Sequence, residues 1–188
     1  DPHQDTALGR LHLVLLGFTK YLWAASLPPS GCQLTIGEKA ARDDAEAWLH
    51  SLSQAGLGDR SVRVDYVMRY CSSLVGRHLH SIAQLGIFIF GHHTDKTLLD
   101  AWIALSRLSA ALITEMIKVI KAFIVSVWFL AQVCSLTVVI LKRLHVLIDD
   151  FFDVVVTFNP TWAMYKSKFH HLTHTPQFIK RFGPIGLY

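Results

Sequence analysis

The sequence has few charged residues for its length, and this shortage is concentrated in particular stretches. Of its 188 residues, 17% are charged and 52% are hydrophobic, whereas ordinary soluble domains carry about 25% charge. No run of lysine and arginine reaches the density of a nucleic-acid-binding patch, so we predict no nucleic-acid partner. A deficit confined to certain windows is typical of membrane proteins.

Sequence signatures of catalysis are also missing. The chain contains no GxxxxGK[ST] or GxGxxG phosphate loop, no HExxH zinc motif and no GxSxG nucleophile motif. Its three cysteines form no CxxC pair, and an odd number cannot complete a disulfide framework. The carboxylates of Asp149, Asp150 and Asp153 fit the solvated face of a helix better than an acid/base or metal site. The sequence therefore predicts a protein that is not an enzyme, with no catalytic residue and no metal site.

Glycine and proline are absent from residues 92–159. Because these residues are the strongest breakers of helices, their absence predicts one long helix over residues 94–158, with Thr94 and Asp95 as candidate N-caps. Inside it, Ala122–Leu141 contains no charged residue, and as a helix it would span about 30 Å, the thickness of a bilayer core. We therefore predict an all-α integral membrane protein whose long helix crosses the bilayer at this run.

Paired cations flank the uncharged run. Lys118 and Lys121 precede it, and Lys142 and Arg143 follow it. Cations at the ends of a span reach the headgroups and bind anionic lipid, for which cardiolipin is a candidate. We predict lipid binding by these four residues. Arg107, upstream of them, fits an outward-facing position better than a buried functional charge.

Two weaker apolar segments come before the long helix. Residues 11–27 are just long enough to cross a bilayer, and residues 62–90 contain a second apolar stretch, Leu74–Phe90. Lys20 interrupts the first stretch, and Gln84 with a nearby glycine interrupts the second. Each segment is predicted to be either a further span or a partly buried or interfacial helix.

One segment has the pattern of a helix in water. Residues 36–55 follow Thr35-x-x-Glu38, the capping box in which two side chains satisfy the first free N–H groups of a helix. Gly56 is the predicted C-cap. We predict a short soluble helix here.

The tail, residues 159–188, combines three prolines with many aromatic and basic residues. The prolines predict an extended C-terminal arm without a core of its own, which becomes ordered when a partner provides the packing surface. Large rigid aromatic side chains are typical anchors of protein interfaces. The predicted partner-binding residues are Trp162, Tyr165, Phe169, Phe178 and Phe182.

These features together favour a non-catalytic accessory subunit of a large membrane complex, whose partners are the other subunits and membrane lipids. The commonest setting for such subunits is an energy-transducing complex of the mitochondrial inner membrane, a respiratory-chain complex or ATP synthase. Two alternatives stay open. One is a membrane-shaping protein that uses amphipathic helices 94–121 and 142–158. The other is an electron carrier whose cofactor is haem, held by helical histidines. The candidate histidines are His78, His80, His92, His93, His170, His171 and His174.

Overall fold

A computed structural model describes five stretches of the chain, residues 11–28, 34–55, 62–91, 95–125 and 130–182. All regular structure within these stretches is helical, which confirms the predicted all-α class. In chain order the elements are a π-helical segment Leu11–Thr19 that continues into α1 (Lys20–Ser26), α2 (Ile36–Ser51), α3 (Val64–Arg69), a 3₁₀ turn (Cys71–Ser73), α4 (Gly76–Phe90), α5 (Lys96–Val125), α6 (Leu130–Phe158), α7 (Pro160–Tyr165), α8 (Ser167–Thr173) and α9 (Thr175–Phe182).

The chain divides into two compact units. The N-terminal unit comprises residues 14–106, and it contains α1 to α4 together with the first part of α5. The C-terminal unit comprises residues 107–188 and residues 1–13, and it contains the rest of α5 with α6 to α9.

Among the described residues, no helix combines the length and the apolar character needed to cross a membrane. The predicted integral membrane protein with its membrane-crossing helix is therefore wrong. The run Ala122–Leu141 falls partly on α5, which ends at Val125, and partly on α6, which begins at Leu130, while residues 126–129 lie outside the described part. The uncharged start of α6, Leu130–Leu141, rises only about 18 Å, against the roughly 30 Å of a bilayer core.

The two weaker candidate spans are also too short. The helical stretch from Leu11 to Ser26 rises about 24 Å and α4 about 22 Å, both less than a bilayer core. Instead, α1 contacts α4, and Leu22, Leu79 and Ile82 are fully buried. Their apolar faces are covered by the protein itself.

An aromatic cluster on α1, α4 and α5 forms the core of the N-terminal unit. The ring of Phe90 stacks on Trp102 and meets Trp23 edge-on, with centroid separations of 5.7 Å in both cases. The indole N–H of Trp102 donates to Ser26 Oγ at 2.9 Å, and the Ser26 hydroxyl donates to the carbonyl of Leu22 at 2.7 Å. Because its polar atom is satisfied, Trp102 can be completely buried between these helices.

The indole of Trp102 packs directly against Gly86 of α4. A Cβ added at Gly86 would lie 2.9 Å from Cδ2 of Trp102 and closer still to two further ring carbons. Only glycine therefore permits this approach of α4 to α5. We expect Gly86→Ala to lower the free energy of unfolding by about 1–3 kcal/mol through overpacking, as measured by urea denaturation.

Gly37, which begins α2, provides the matched control. A Cβ added there meets no atom within 4 Å. Since alanine is the better helix former, we expect Gly37→Ala to be neutral or to stabilise by up to about 1 kcal/mol. Equal effects of the two substitutions would show that the contact between Gly86 and Trp102 does not decide the packing.

The capping box predicted for α2 is confirmed. The Thr35 hydroxyl accepts from the backbone N–H of Glu38, whose carboxylate in turn accepts from the backbone N–H of Thr35. The hydrogen bonds that the Glu38 carboxylate accepts from the backbone N–H and from the hydroxyl of Thr35 lower the pKa of Glu38. The helix ends at Ser51, four residues before the predicted end, and Gly56 lies outside the described residues.

The start of α5 agrees with the sequence as well. The backbone N–H of Thr97 donates to the Asp95 carboxylate at 3.4 Å, and the amide of Leu99 donates to the Asp95 carbonyl at 3.0 Å. Asp95 therefore caps the helix as predicted. The hydrogen bonds from Thr97 lower the pKa of Asp95, and Thr94 lies outside the described residues.

The predicted extended C-terminal arm is wrong, because residues 160–182 form three short helices. Asn159 caps α7 by accepting from the backbone N–H of Thr161, and Pro160 occupies the first turn. Pro176 likewise lies at the start of α9. A proline in the first turn is tolerated since its missing N–H would have no helical partner there. The prolines therefore begin helices instead of preventing them.

Helices α7, α8 and α9 pack on α6 and form the described core of the C-terminal unit. Phe169 of α8 is central to it. Its ring stacks on Phe151 at a centroid distance of 6.2 Å and meets Phe152 edge-on at 5.7 Å. Leu172 of α8 and Phe178 of α9 are also buried in this unit. The chain supplies the packing surface that the sequence assigned to a partner.

Candidate functional site

Among the described residues of the C-terminal unit, the most exposed large apolar side chains lie on α7. Met164 is 77% exposed and Tyr165 is 78% exposed. Trp162, on the same helix, is half-buried, with its ring 5.5 Å from Phe158 and 6.4 Å from Phe169. We call Trp162, Met164 and Tyr165 the α7 surface. Contacts of α7 with α6 and α8 hold this surface in place.

The formal net charge of the protein lies in the C-terminal segment that contains this surface. Residues 1–158 hold 14 Lys and Arg against 14 Asp and Glu, whereas residues 159–188 hold four Lys and Arg and no carboxylate. The C-terminal segment therefore carries the whole formal net charge of +4. Its cations are Lys166, Lys168, Lys180 and Arg181.

The structure separates the predicted partner-binding residues into two groups. Phe169 and Phe178 are buried inside the C-terminal unit, where they contact the chain itself. Tyr165 is exposed and Trp162 is half-buried on the α7 surface. The side chain of Phe182 lies outside the described residues. Of the predicted residues whose side chains the structure describes, only Trp162 and Tyr165 are thus placed where a partner could reach them.

The structure describes the side chains of only two of the four predicted lipid-binding cations. Lys142 and Arg143 are exposed on α6, and Arg143 interacts with other groups of the chain. The side chains of Lys118 and Lys121 lie outside the described residues. The membrane span whose ends they were predicted to mark is not present among the described helices.

The charged residues that the sequence predicted to face outward are exposed. Asp149, Asp150 and Asp153 are exposed on α6. Arg107 is exposed on α5. Both interpretations are confirmed, since none of these four charges is enclosed in the protein.

Two groups of histidines are described. His78 lies on α4 with its ring 5.0 Å from Tyr66, and its Nδ1 atom is buried without a hydrogen-bond partner among the described residues. Burial, and secondarily the charge of Arg77, lowers the pKa of His78. The rings of His170 and His174 lie 4.8 Å apart in the C-terminal unit. None of these contacts tests the haem alternative, and His92 and His93 lie outside the described residues.

A cleft of about 460 Å³ opens in the N-terminal unit where α2 meets α3. Three arginines line it, Arg42, Arg63 and Arg69, together with two acidic residues, Glu46 and Asp65. We call this the arginine cleft. Within the described residues, Arg63 and Arg69 form no ion pair with either carboxylate. Their hydrogen-bond donors are therefore available to a ligand.

The cleft is held in shape by its own contacts. The Arg42 guanidinium donates a hydrogen bond to the carbonyl of Met68, so that α2 is tied to the end of α3. The rings of Tyr66 and Tyr70 lie 5.0 Å apart, and Tyr70 is 47% exposed at the wall. The arrangement offers one fixed cationic donor, Arg42, and two exposed arginines beside an aromatic face.

Two residues of the cleft, Glu46 and Asp65, and the neighbouring His50 bring ligand atoms within 4.8 Å of one another. His50 and Asp65 already approach each other at 3.7 Å and are largely exposed. The three arginines that line the same cleft oppose a cation electrostatically. We therefore assign no metal to this group.

Sequence reasoning missed the arginine cleft. Arg42 lies 21 residues before Arg63 in a chain with many scattered cations. No motif joins them, and only the packing of α2 against α3 brings them together. The cleft could therefore be found only from the tertiary structure.

No protein-family model, curated protein or solved structure matches this chain. The predicted setting in a respiratory-chain complex or ATP synthase of the mitochondrial inner membrane therefore has no relative to support it, and no described helix could cross that membrane. The predicted setting is therefore wrong.

Proposed function

We propose that this protein is a non-catalytic accessory subunit that binds an acidic protein partner through the α7 surface. The observation that carries the proposal is the exposure of Met164 and Tyr165 on an ordered helix. Methionine and tyrosine are enriched at the centres of protein interfaces, where they become desolvated. A helix already packed on α6 and α8 presents them with little further loss of conformational freedom on binding.

The charge around this surface selects the class of partner. The segment from residue 159 onward carries four formal positive charges and no acidic residue. Complementary charge steers association and excludes partners of the same sign. We therefore propose a protein with a negatively charged surface that accepts the apolar side chains of α7.

The non-catalytic part of the proposal rests on the sequence. No catalytic motif occurs in it, and the three aspartates of α6 are solvated. Aromatic and apolar anchors bordered by cations are sufficient for a binding role, which requires no reacting group.

The proposal predicts that charge placed on the α7 surface weakens the complex. We expect the double substitution Met164→Asp, Tyr165→Asp to weaken partner binding by roughly 30-fold or more, since interface hot spots contribute at least about 2 kcal/mol. The measurement is quantitative mass spectrometry of proteins that co-purify with the tagged full chain from cells that express it naturally. Raising the salt concentration should weaken the wild-type complex, because its charges are exposed.

Ile36→Asp is the matched control. Ile36 is 92% exposed at the start of α2, so its replacement changes an equally accessible apolar side chain in the other unit. Loss of the complex in both variants, or in neither, would contradict the proposal. So would binding of the wild-type chain to anionic lipid vesicles with no protein co-purifying, because the α7 surface would then serve a membrane surface.

A further inference from the structure

We propose that the arginine cleft binds a mononucleotide, and that this site is independent of the α7 surface. The cleft belongs to the N-terminal unit, and α7 belongs to the C-terminal unit. Its volume of about 460 Å³ lies within the usual range of small-ligand pockets, about 300–1,000 Å³.

The guanidinium groups provide the phosphate-binding part of the site. Arg63 and Arg69 line the cleft without an ion pair among the described residues, although Glu46 and Asp65 line it too. A guanidinium has five N–H donors in a planar fork that matches two oxygens of a phosphate. Because neither carboxylate of the cleft pairs with Arg63 or Arg69, both arginines are suited to bind an anion from outside the protein.

Arg42 gives this part of the site rigidity. Its guanidinium is held by the hydrogen bond to the Met68 carbonyl, which uses only part of its donor capacity. A donor that is already fixed loses little side-chain freedom when it binds a second acceptor. The phosphate would therefore meet one fixed and two exposed arginines.

The aromatic wall selects a ligand with a ring. Tyr70 is about half exposed at the cleft, and the ring of Tyr66, which also lines the cleft, lies 5.0 Å away. A nucleobase can stack on an exposed tyrosine ring, and such stacking is worth about 1–3 kcal/mol. Inorganic phosphate could not use this wall.

The two carboxylates distinguish a nucleotide from other ring-bearing phosphates. Ionised carboxylates only accept hydrogen bonds. Glu46 and Asp65 can accept hydrogen bonds from the hydroxyl groups of a ribose. A phosphate, a ring and hydroxyl donors on one small ligand satisfy all three parts of the cleft.

The test is isothermal titration of the full chain with adenosine monophosphate (AMP), inorganic phosphate, adenosine and phosphotyrosine. We expect AMP to bind with a dissociation constant below about 1 mM and each other probe at least about tenfold more weakly. Arg63→Gln and Arg69→Gln should each weaken AMP binding about tenfold or more. Tyr70→Ala should weaken AMP binding about fivefold or more and leave the binding of inorganic phosphate unchanged.

Arg77→Gln is the matched control, because Arg77 is an exposed arginine of the same unit that does not line the cleft. It should leave AMP binding unchanged, and circular dichroism should show that every variant keeps its helical content. Absence of AMP binding at about 1 mM, equal binding of AMP and inorganic phosphate, an equal loss in Arg77→Gln, or tighter binding of phosphotyrosine would each overturn the proposal. These results would leave the α7 proposal unaffected.

Discussion

Replacing Trp102 with alanine is expected to lower the free energy of unfolding by about 3–5 kcal/mol, the range for a large aromatic side chain removed from a core. Trp102 is 0% exposed, stacks on Phe90 and fills the space left open by Gly86. Its removal leaves a cavity between three helices. It also removes the indole N–H that donates a hydrogen bond to the Ser26 hydroxyl. Urea denaturation followed by far-ultraviolet circular dichroism measures the loss.

Trp102→Phe separates the two contributions. This variant keeps a ring against Phe90 but loses the indole N–H, so we expect a smaller loss of about 1–2 kcal/mol. A loss below about 1 kcal/mol in the alanine variant would show that the aromatic cluster does not stabilise the N-terminal unit.

The second large effect is expected at Phe169. Its ring is 1% exposed and contacts Phe151 and Phe152 of α6. We expect Phe169→Ala to lower the free energy of unfolding by about 3–5 kcal/mol in the isolated protein, because it opens a cavity between α6 and α8. Chemical denaturation with the same readout measures it, and limited proteolysis should show earlier cleavage within residues 160–182.

Tyr165→Ala is the control for this prediction. The side chain is 78% exposed, so its removal should change the free energy of unfolding by no more than about 0.5 kcal/mol. If Phe169→Ala is equally mild, the C-terminal helices are not held by their aromatic residues. Similar large losses in both variants would mean that α7 depends on Tyr165 for stability, which would weaken its assignment to a partner-binding surface.

The contrast between Phe169 and Tyr165 shows how far the sequence alone could lead. Both were predicted as anchors for a partner because both are aromatic residues in a segment rich in proline. Which aromatic is buried depends on how the three short helices lie on α6, and residue type gives no information about that. The interpretation of proline failed for a local reason, since Pro160 follows a capping asparagine that permits a helix to start.

The membrane prediction failed for a related reason. Apolar content and helical length are local properties, but an apolar face can be covered by lipid or by other parts of the same protein. In α4 the apolar face meets α1, and Gly86 admits the indole of Trp102. A composition typical of a membrane helix therefore also suits a helix packed on several neighbours.

The sequence by itself determined the features that depend on a few neighbouring residues. The capping box of Thr35 and Glu38, the cap at Asp95 and the solvated aspartates of α6 follow from local hydrogen bonding and helical periodicity. The helical class follows as well, because the absence of glycine and proline over residues 92–159 removes the usual points of interruption.

Only the tertiary structure decided which surfaces remain accessible. It buried Phe169, left Met164 and Tyr165 exposed, and brought Arg42 beside Arg63 in one cleft. The physical reason is that burial and convergence depend on contacts between residues far apart in the chain. Such contacts arise from the packing of whole helices, which no short window of sequence specifies.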